Sequence, residues 1–274
     1  MPNKYVAVAT DLDSTFMHHG MTIPARNIVA VQRATAAGLH FVVASGRQQP
    51  AIAKVMHKVG VNGAKVCLNG AYVVDEAAHV LVASAIDPQM IVELFALASA
   101  AGANMMCYQQ RGVVRYDVTN SLLWHALFLG HDRRNRLFKH ESRLRHLLAT
   151  RMIYKVGFNH PDHAVLVGIQ QQLAKREALT MVWASANFLE ITNAGITKLT
   201  GLAALARQWH TDVSRFIAFG DYENDLAMLE GVGFGVAMSN AIPAVKAVAK
   251  QVVDNHDHQG VGRALERLLE TSRE

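Results

Sequence analysis

Three apolar runs in this chain each break off at a polar residue, and a helical pattern follows each one. The runs are Tyr5-Val6-Ala7-Val8-Ala9, Phe41-Val42-Val43-Ala44 and Phe216-Ile217-Ala218-Phe219. Unbroken apolar stretches of this length, rich in β-branched and aromatic residues, read as strands buried on both faces. Strands that alternate with helices imply a parallel sheet, because a parallel pair needs a crossover between its members. All strands of such a sheet end along one edge. The residues that close the three runs, Asp11, Ser45 and Asp221, therefore meet on that edge, where an open α/β sheet holds its ligand.

The first run leads into Asp11-Leu12-Asp13-Ser14-Thr15. Carboxylates at i and i+2 of an extended chain leave in the same general direction. Two acids so placed repel each other unless a cation sits between them. A metal-assisted site follows, with one Asp as nucleophile and the other as acid and base. A polar turn after a strand is the plainer alternative. The second run leads into Ser45-Gly46-Arg47, in which glycine lets a backbone N–H approach an anion and serine offers a hydroxyl. The third leads into Gly220-Asp221-Tyr222-Glu223-Asn224-Asp225, four acid or amide side chains directly after a strand. Lys198 stands where a loop enters a helix. A cation there is mildly unfavourable for the helix dipole, so a bound anion explains it better than helix stability does. Together these groups form an all-oxygen set suited to Mg²⁺, beside a hydroxyl, amides and an ammonium suited to the oxygens of a phosphoryl group.

Between about residues 85 and 187 the pattern changes to helix, two strands, helices, strand, helix, strand. Strands are expected at Asn104 to Gln109, Gly112 to Asp117, Met152 to Phe158 and Leu179 to Ala184. Helices are expected at Pro88 to Ala101, Glu141 to Ala149 and Pro161 to Glu177. This is an α+β block with its own apolar faces. The expected division is a core of residues 1–84 and 188–274 and an insertion of 85–187, with Phe188-Leu189-Glu190-Ile191 returning to the core. Arg133, Arg134, Arg136, Lys139, Arg143, Arg145 and Arg151 form a basic cluster in the insertion. Asp132 and Glu141 interrupt it and no aromatic binding motif accompanies it, so it reads as a solvated helical face and not a nucleic-acid surface.

The ordered set Asp11-Leu12-Asp13-Ser14-Thr15, Ser45-Gly46-Arg47, Lys198 and Gly220-Asp221-Tyr222-Glu223-Asn224-Asp225 resembles the haloacid dehalogenase superfamily of phosphatases, in particular its Cof-type sugar-phosphatase branch. Asn69-Gly70-Ala71 and the stretch Asp254-Asn255-His256 to Gly260-Val261 are also similar to that branch. The resemblance covers the whole chain. It implies an α/β fold, a Rossmann-like parallel-sheet core with an inserted α+β cap domain. It implies that Asp11 attacks phosphorus to form an aspartyl phosphate, and that Asp13 protonates the leaving alcohol and then activates water. Mg²⁺ would be held by Asp11, the backbone carbonyl of Asp13 and Asp221. Asp225 would support the metal shell or orient Lys198. Leu12, Ser45, Gly46, Lys198 and Asn224 would hold the phosphoryl group. Ser14 and Leu199 depart from the family's usual glycines.

Composition narrows the classes. Half of the 274 residues are hydrophobic and 18% are charged, which describes a chain with real cores and not a disordered one. The formal charge of +5, with 14 histidines besides, favours anionic ligands and names none. Cys67 and Cys107 lack metal-ligand spacing and read as two buried thiols of a reducing compartment. No long apolar stretch precedes Asp11, so a cytoplasmic protein without a signal peptide or membrane segment is expected. It would be a monomer or weak homo-oligomer acting on a small phosphorylated metabolite. The rivals are a phosphomutase on the same scaffold and a non-catalytic phospho-ligand or nucleic-acid-binding protein. Tyr108, Arg111, Arg115 and Lys155, on strands of the insertion, are candidates for substrate selection or for plain solvent exposure.

Overall fold

The computed structural model describes residues 4–18, 22–118 and 134–270. The chain divides into two compact units, residues 1–82 with 197–274, and residues 83–196.

The first unit is built on an eight-stranded sheet of order β14-β13-β12-β1-β2-β3-β4-β5. Its centre is β1 (Ala7–Thr10), paired in parallel with β2 (His40–Ala44) on one side and β12 (Phe216–Gly220) on the other. Parallel pairing extends outward to β3 (Ala64–Cys67) and, on the other side, to β13 (Phe234–Met238) and β14 (Gln251–Val253). β4 (Tyr72–Val74) turns back antiparallel on β3, and β5 (Val80–Ala83) follows it. Strand order therefore runs one way from β1 through β2 and β3, and the other way through β12 to β14. The reversal falls between β1 and β12, at the topological switch point that opens a crevice beyond the strand ends. The apolar runs are buried on both faces as their composition requires: Ala7, Val8 and Ala9 are shut from water, as are Val42 and Val43. On one face, Leu202, Leu205 and Ala206 of the helix Lys198–Gln208 join a core with Ala9, Val42, Ala64 and Val66. That helix lies so close that a Cβ on Gly201 would sit 2.5 Å from a Val66 methyl.

The second unit has a six-stranded sheet of order β10-β11-β9-β6-β7-β8. β6 (Asn104–Tyr108), β7 (Val113–Tyr116), β9 (Lys155–Asn159), β10 (Leu179–Ser185) and β11 (Phe188–Asn193) pair antiparallel, and β8 (Arg136–Phe138) joins β7 in parallel. Alternate strand residues, such as Met105, Cys107, Val156, Phe158, Leu189 and Ile191, share one core with the helices Pro88–Ala101, Glu141–Leu148 and His163–Leu173. Asp87 caps the first of these, accepting from the N–H groups of Gln89 and Met90.

Two expectations change here. The strand 188–193 does not belong to the first sheet. It forms a hairpin with β10 and also pairs with β9. Two β-prone runs separated by Ala186 and Asn187 meet each other at little loop-closure cost, before either meets a distant strand. The boundaries accordingly fall near 82/83 and 196/197 instead of 84/85 and 187/188. The basic cluster is not one helical face. Arg136 lies on a strand, Arg143 and Arg145 lie on a helix, and Arg151 lies in the loop after it. Arg133 and Asp132 fall outside the described residues.

Cys67 and Cys107 are both buried and unbridged, and burial pushes the Cys67 thiol up to about 12. Among the described residues no helix is long and apolar enough to cross a membrane.

Candidate active site

The carboxyl ends of β1, β2 and β12 carry the residues that the sequence marked. The N–H of Asp11 donates to the Phe219 carbonyl at 2.9 Å and so prolongs the β1–β12 ladder by one rung. The backbone then leaves the strand in a tight turn over Leu12–Phe16, with Ser14 in the left-handed region at φ 58°. The alternation expected of Asp11 and Asp13 ends with the strand. Asp11 keeps 9% of its side chain exposed and Asp13 keeps 60%. Asp13 is held by Arg47, whose Nε and Nη2 donate to its two carboxylate oxygens at 2.8 and 2.5 Å. This two-pronged contact fits the planar guanidinium fork.

Lys198 opens the helix Lys198–Gln208. Thr197 caps it reciprocally with Thr200: the Thr197 hydroxyl accepts from the Thr200 N–H, and the Thr200 hydroxyl accepts from the Thr197 N–H. The Lys198 side chain is wholly buried, and its ammonium donates to Oδ1 of Asp11 and Oδ1 of Asp225, each at 2.7 Å. The other oxygen of Asp225 accepts from the N–H groups of Asp221 and Tyr222 at 3.0 and 3.2 Å. Gly220 is required for this fold-back, since a Cβ there would lie 2.5 Å from the Asp225 carboxyl carbon. Asp221 accepts from the Thr15 hydroxyl at 2.5 Å.

Ser45 is buried at the end of β2, and its hydroxyl accepts from the Arg47 N–H at 3.2 Å. Its carbonyl accepts from the N–H of Asn69. Asn69, in the left-handed region at φ 58°, accepts through its side-chain oxygen from the Asn224 amide at 3.3 Å. Next to it, Gly70 has φ +103°, and a Cβ there would stand 2.2 Å from the Thr197 carbonyl. The 68–70 turn is thus fitted against the start of the Lys198 helix.

Asp11, Asp221 and Asp225 each bring a carboxylate oxygen within 4.8 Å of the others. One ammonium faces three buried carboxylates, so negative charge is in excess. Burial raises the Asp11 carboxyl well above its ordinary value of 3.8. Lys198 opposes that rise, while Asp225, Asp221 and Asp13 add to it. Burial and Asp225 push Asp221 up to about 7 against the Thr15 bond and Lys198. For Lys198, burial disfavours the charge, but Asp11 and Asp225 outweigh it and hold the group above its ordinary value. Three acidic oxygens with a charge deficit of this kind suit a hard divalent cation such as Mg²⁺.

The sequence brought Asp11, Ser45, Lys198, Asp221, Asn224 and Asp225 to this edge in advance, with Leu12, Asp13 and Gly46 as their chain neighbours. It did not indicate Thr15 as a partner of Asp221, Asn69 as a partner of Asn224, or Asn240, which lies 3.5 Å from Asp221. Asn240 comes two residues after the end of β13, so the same signal of an apolar run ending in polar groups was present for it. In the second unit, Lys155 does not face solvent: it is buried in an ion pair with Glu190, under the ring of Tyr108 at 4.6 Å. Arg115 pairs with Asp117 at 2.7 Å, and Arg111 is exposed.

A doubly wound core with an acid-and-ammonium cluster at its switch point and an α+β insertion after β5 defines an enzyme of the haloacid dehalogenase phosphatase class. The chain belongs to the haloacid dehalogenase-like hydrolase family, which matches residues 8–265. It is 28% identical over 263 residues to a putative phosphatase of Haemophilus influenzae, covering 96% of this chain and 97% of that one. It is 25% identical to the pyridoxal phosphate phosphatase YbhA of Escherichia coli, over 93% of this chain and 96% of the relative. Among solved structures, the subclass IIB sugar phosphatase BT4131 superposes with a TM-score of 0.80 at 20% identity, over 96% of this chain and 98% of the other.

Proposed function

We propose that the protein hydrolyses small phosphorylated metabolites, sugar phosphates among them, with Mg²⁺ and through an aspartyl phosphate on Asp11. The observation that carries this reading is the position of Asp11. It ends the central strand at the switch point, with one oxygen fixed by Lys198 and with Asp221 and Asp225 beside it. An Asp so held presents a fixed carboxylate to phosphorus. Mg²⁺, held by Asp11, Asp221 and the Asp13 carbonyl with Asp225 in support, would neutralise charge on the phosphoryl oxygens.

The first step forms the bond from the Asp11 carboxylate to phosphorus and breaks the phosphorus–oxygen ester bond. The leaving alkoxide takes its proton from Asp13. In the second step Asp13, now a carboxylate, removes a proton from water. The resulting hydroxide attacks phosphorus, releases inorganic phosphate and restores the Asp11 carboxylate. Asp13 must exchange one of its Arg47 contacts to take part, and its exposure leaves room for that exchange. Lys198 offsets charge on the phosphoryl group, and Ser45, Asn224 and the amides of Leu12 and Gly46 provide donors. A relative named for pyridoxal phosphate and a structural neighbour named as a sugar phosphatase support small phosphomonoesters as the substrate class.

The test is a panel of phosphorylated metabolites with phosphate detection, with Mg²⁺ and with excess chelator. Phosphate release with Mg²⁺ and none with chelator is expected. Full turnover in chelator would refute the metal. Turnover that required a sugar bisphosphate and moved phosphate between sugar hydroxyls would make the enzyme a mutase.

A further inference from the structure

A fourth strand of the core sheet, β13, also ends in polar residues on the same edge: Met238 is followed by Ser239 and Asn240. The Asn240 side chain joins parts of the chain that are far apart in sequence. Its Nδ2 donates to the Ser14 carbonyl at 3.0 Å and lies 3.5 Å from Oδ2 of Asp221. Its Oδ1 is 3.3 Å from Nδ1 of His256. One amide thus spans the turn that carries Asp13, a carboxylate of the acid cluster and the chain after β14.

Each anchor is itself constrained. Ser14 sits at φ 58°, a backbone conformation that a residue with a side chain adopts only when its surroundings impose it. His256 is buried, with 5% exposure, at the start of the turn His256–His258. The Asn255 side chain caps that turn by accepting from the His258 N–H at 2.9 Å. Gly260 closes it: its N–H donates to the Asn255 carbonyl, and a Cβ there would fall 1.8 Å from the Asp254 carbonyl. The second imidazole nitrogen of His256 lies 3.5 Å from Asp257, which is 3.2 Å from His18 on the chain leaving the Asp13 turn. With Nδ2 committed to two oxygens, Oδ1 of Asn240 accepts, so Nδ1 of His256 donates and fixes which way the amide faces.

We propose that Asn240 is a positioning residue that holds the Asp221 carboxylate and the Asp13–Thr15 turn in register for cation binding, and that His256 acts through it by orienting the amide. The inference rests on the reading of Asp221 as a cation ligand. Partners that fix a metal-binding carboxylate commonly change metal affinity by 10- to 100-fold when removed.

The test measures Mg²⁺ affinity calorimetrically on metal-free full-length protein, without substrate. Asn240→Ala should weaken Mg²⁺ about tenfold while the circular dichroism spectrum stays that of wild type. His256→Ala should weaken it by a smaller factor, and His256→Gln, which keeps a donor, should recover most of the loss. On this proposal His256 acts through Asn240, so the double variant should bind no more weakly than Asn240→Ala alone, a non-additivity that general loosening would not produce. If Asn240→Ala does not fold, the pair His256→Ala and His256→Gln decides alone: a loss reversed by Gln supports the proposal, and equal affinities overturn it. Wild-type affinity in Asn240→Ala, or additive losses in the double variant, also overturns it. Asp221→Asn separates the two levels. If that variant loses Mg²⁺ while Asn240→Ala retains it, only the positioning role fails. If Asp221→Asn binds as wild type does, the cation site and the role built on it fail together.

Discussion

Replacing Lys198 by Met isolates what the buried ammonium does. Met keeps the volume and the unbranched stem, so the cavity stays filled while the charge disappears. At 2.7 Å from each of two carboxylates, and at an effective dielectric of about 20, each contact contributes about 6 kcal/mol before desolvation. Taking the ammonium out of water costs several kcal/mol, which cancels much of that gain. Removing one side of such a buried pair typically destabilises by ~3–5 kcal/mol, because the remaining charges are left without compensation. In a chain of this size that corresponds to a fall in Tm of roughly 6–20 °C. The loss should depend on pH. Asp11 and Asp221 already have raised values, so protonation relieves the variant at low pH, and its deficit should grow as pH rises. Urea unfolding of both proteins in chelator at pH 5.5 and pH 8 measures this directly. Adding Mg²⁺ at pH 8 should recover part of the stability. Turnover should fall about a hundredfold, the scale of one lost electrostatic contact to a transferring group. Equal stability of variant and wild type at pH 8 in chelator would refute the charge argument. Wild-type kcat/KM would remove Lys198 from the site.

Three further outcomes follow from the same geometry. Asp11→Asn should abolish turnover, whereas Asp13→Asn given an aryl phosphate, which leaves without a proton, should accumulate one phosphoryl group on the Asp11 peptide, detected as a mass increase; phosphate on another residue would reassign the nucleophile. Asp221 titrates near 7 when folded against 3.8 ordinarily, so it binds more protons folded than unfolded between those values; its contribution to metal-free stability is full below about 4 and is lost as pH rises to about 7, by at most about 1.4 kcal/mol per pH unit. Mg²⁺ should therefore raise Tm more at pH 8 than at pH 6, and an equal shift would count against Asp221 as a ligand. Gly70→Ala puts a Cβ against the Thr197 carbonyl at φ +103°, so a stability loss of at least ~1–3 kcal/mol is expected, with a rise in KM as the start of the Lys198 helix shifts; unchanged denaturation and kinetics would mean that the turn adapts.

What the sequence determined by itself are the features that short-range rules control. Apolar runs such as Phe41–Ala44, short and rich in β-branched residues, read as buried strands, the helices between them favour parallel order, and parallel order brings Asp11, Ser45 and Asp221 to one edge. The motif set at that edge was enough to indicate the family, and most residues of the candidate site were legible from it. Tertiary structure decided the pairings. Lys198 reaches Asp11 across 187 residues of chain, and Asn240 reaches Ser14 across 226. No local pattern encodes such a contact, because strand order and loop paths bring the partners together. Asp13 shows the limit most clearly. Alternation along a strand placed it beside Asp11, but the backbone leaves the strand at that point, and the distant Arg47 supplies its partner. Phe188–Ile191 was legible as a strand, but its place in the core sheet was not, for the same reason: which sheet it joins depends on which neighbour is nearest in the folded chain.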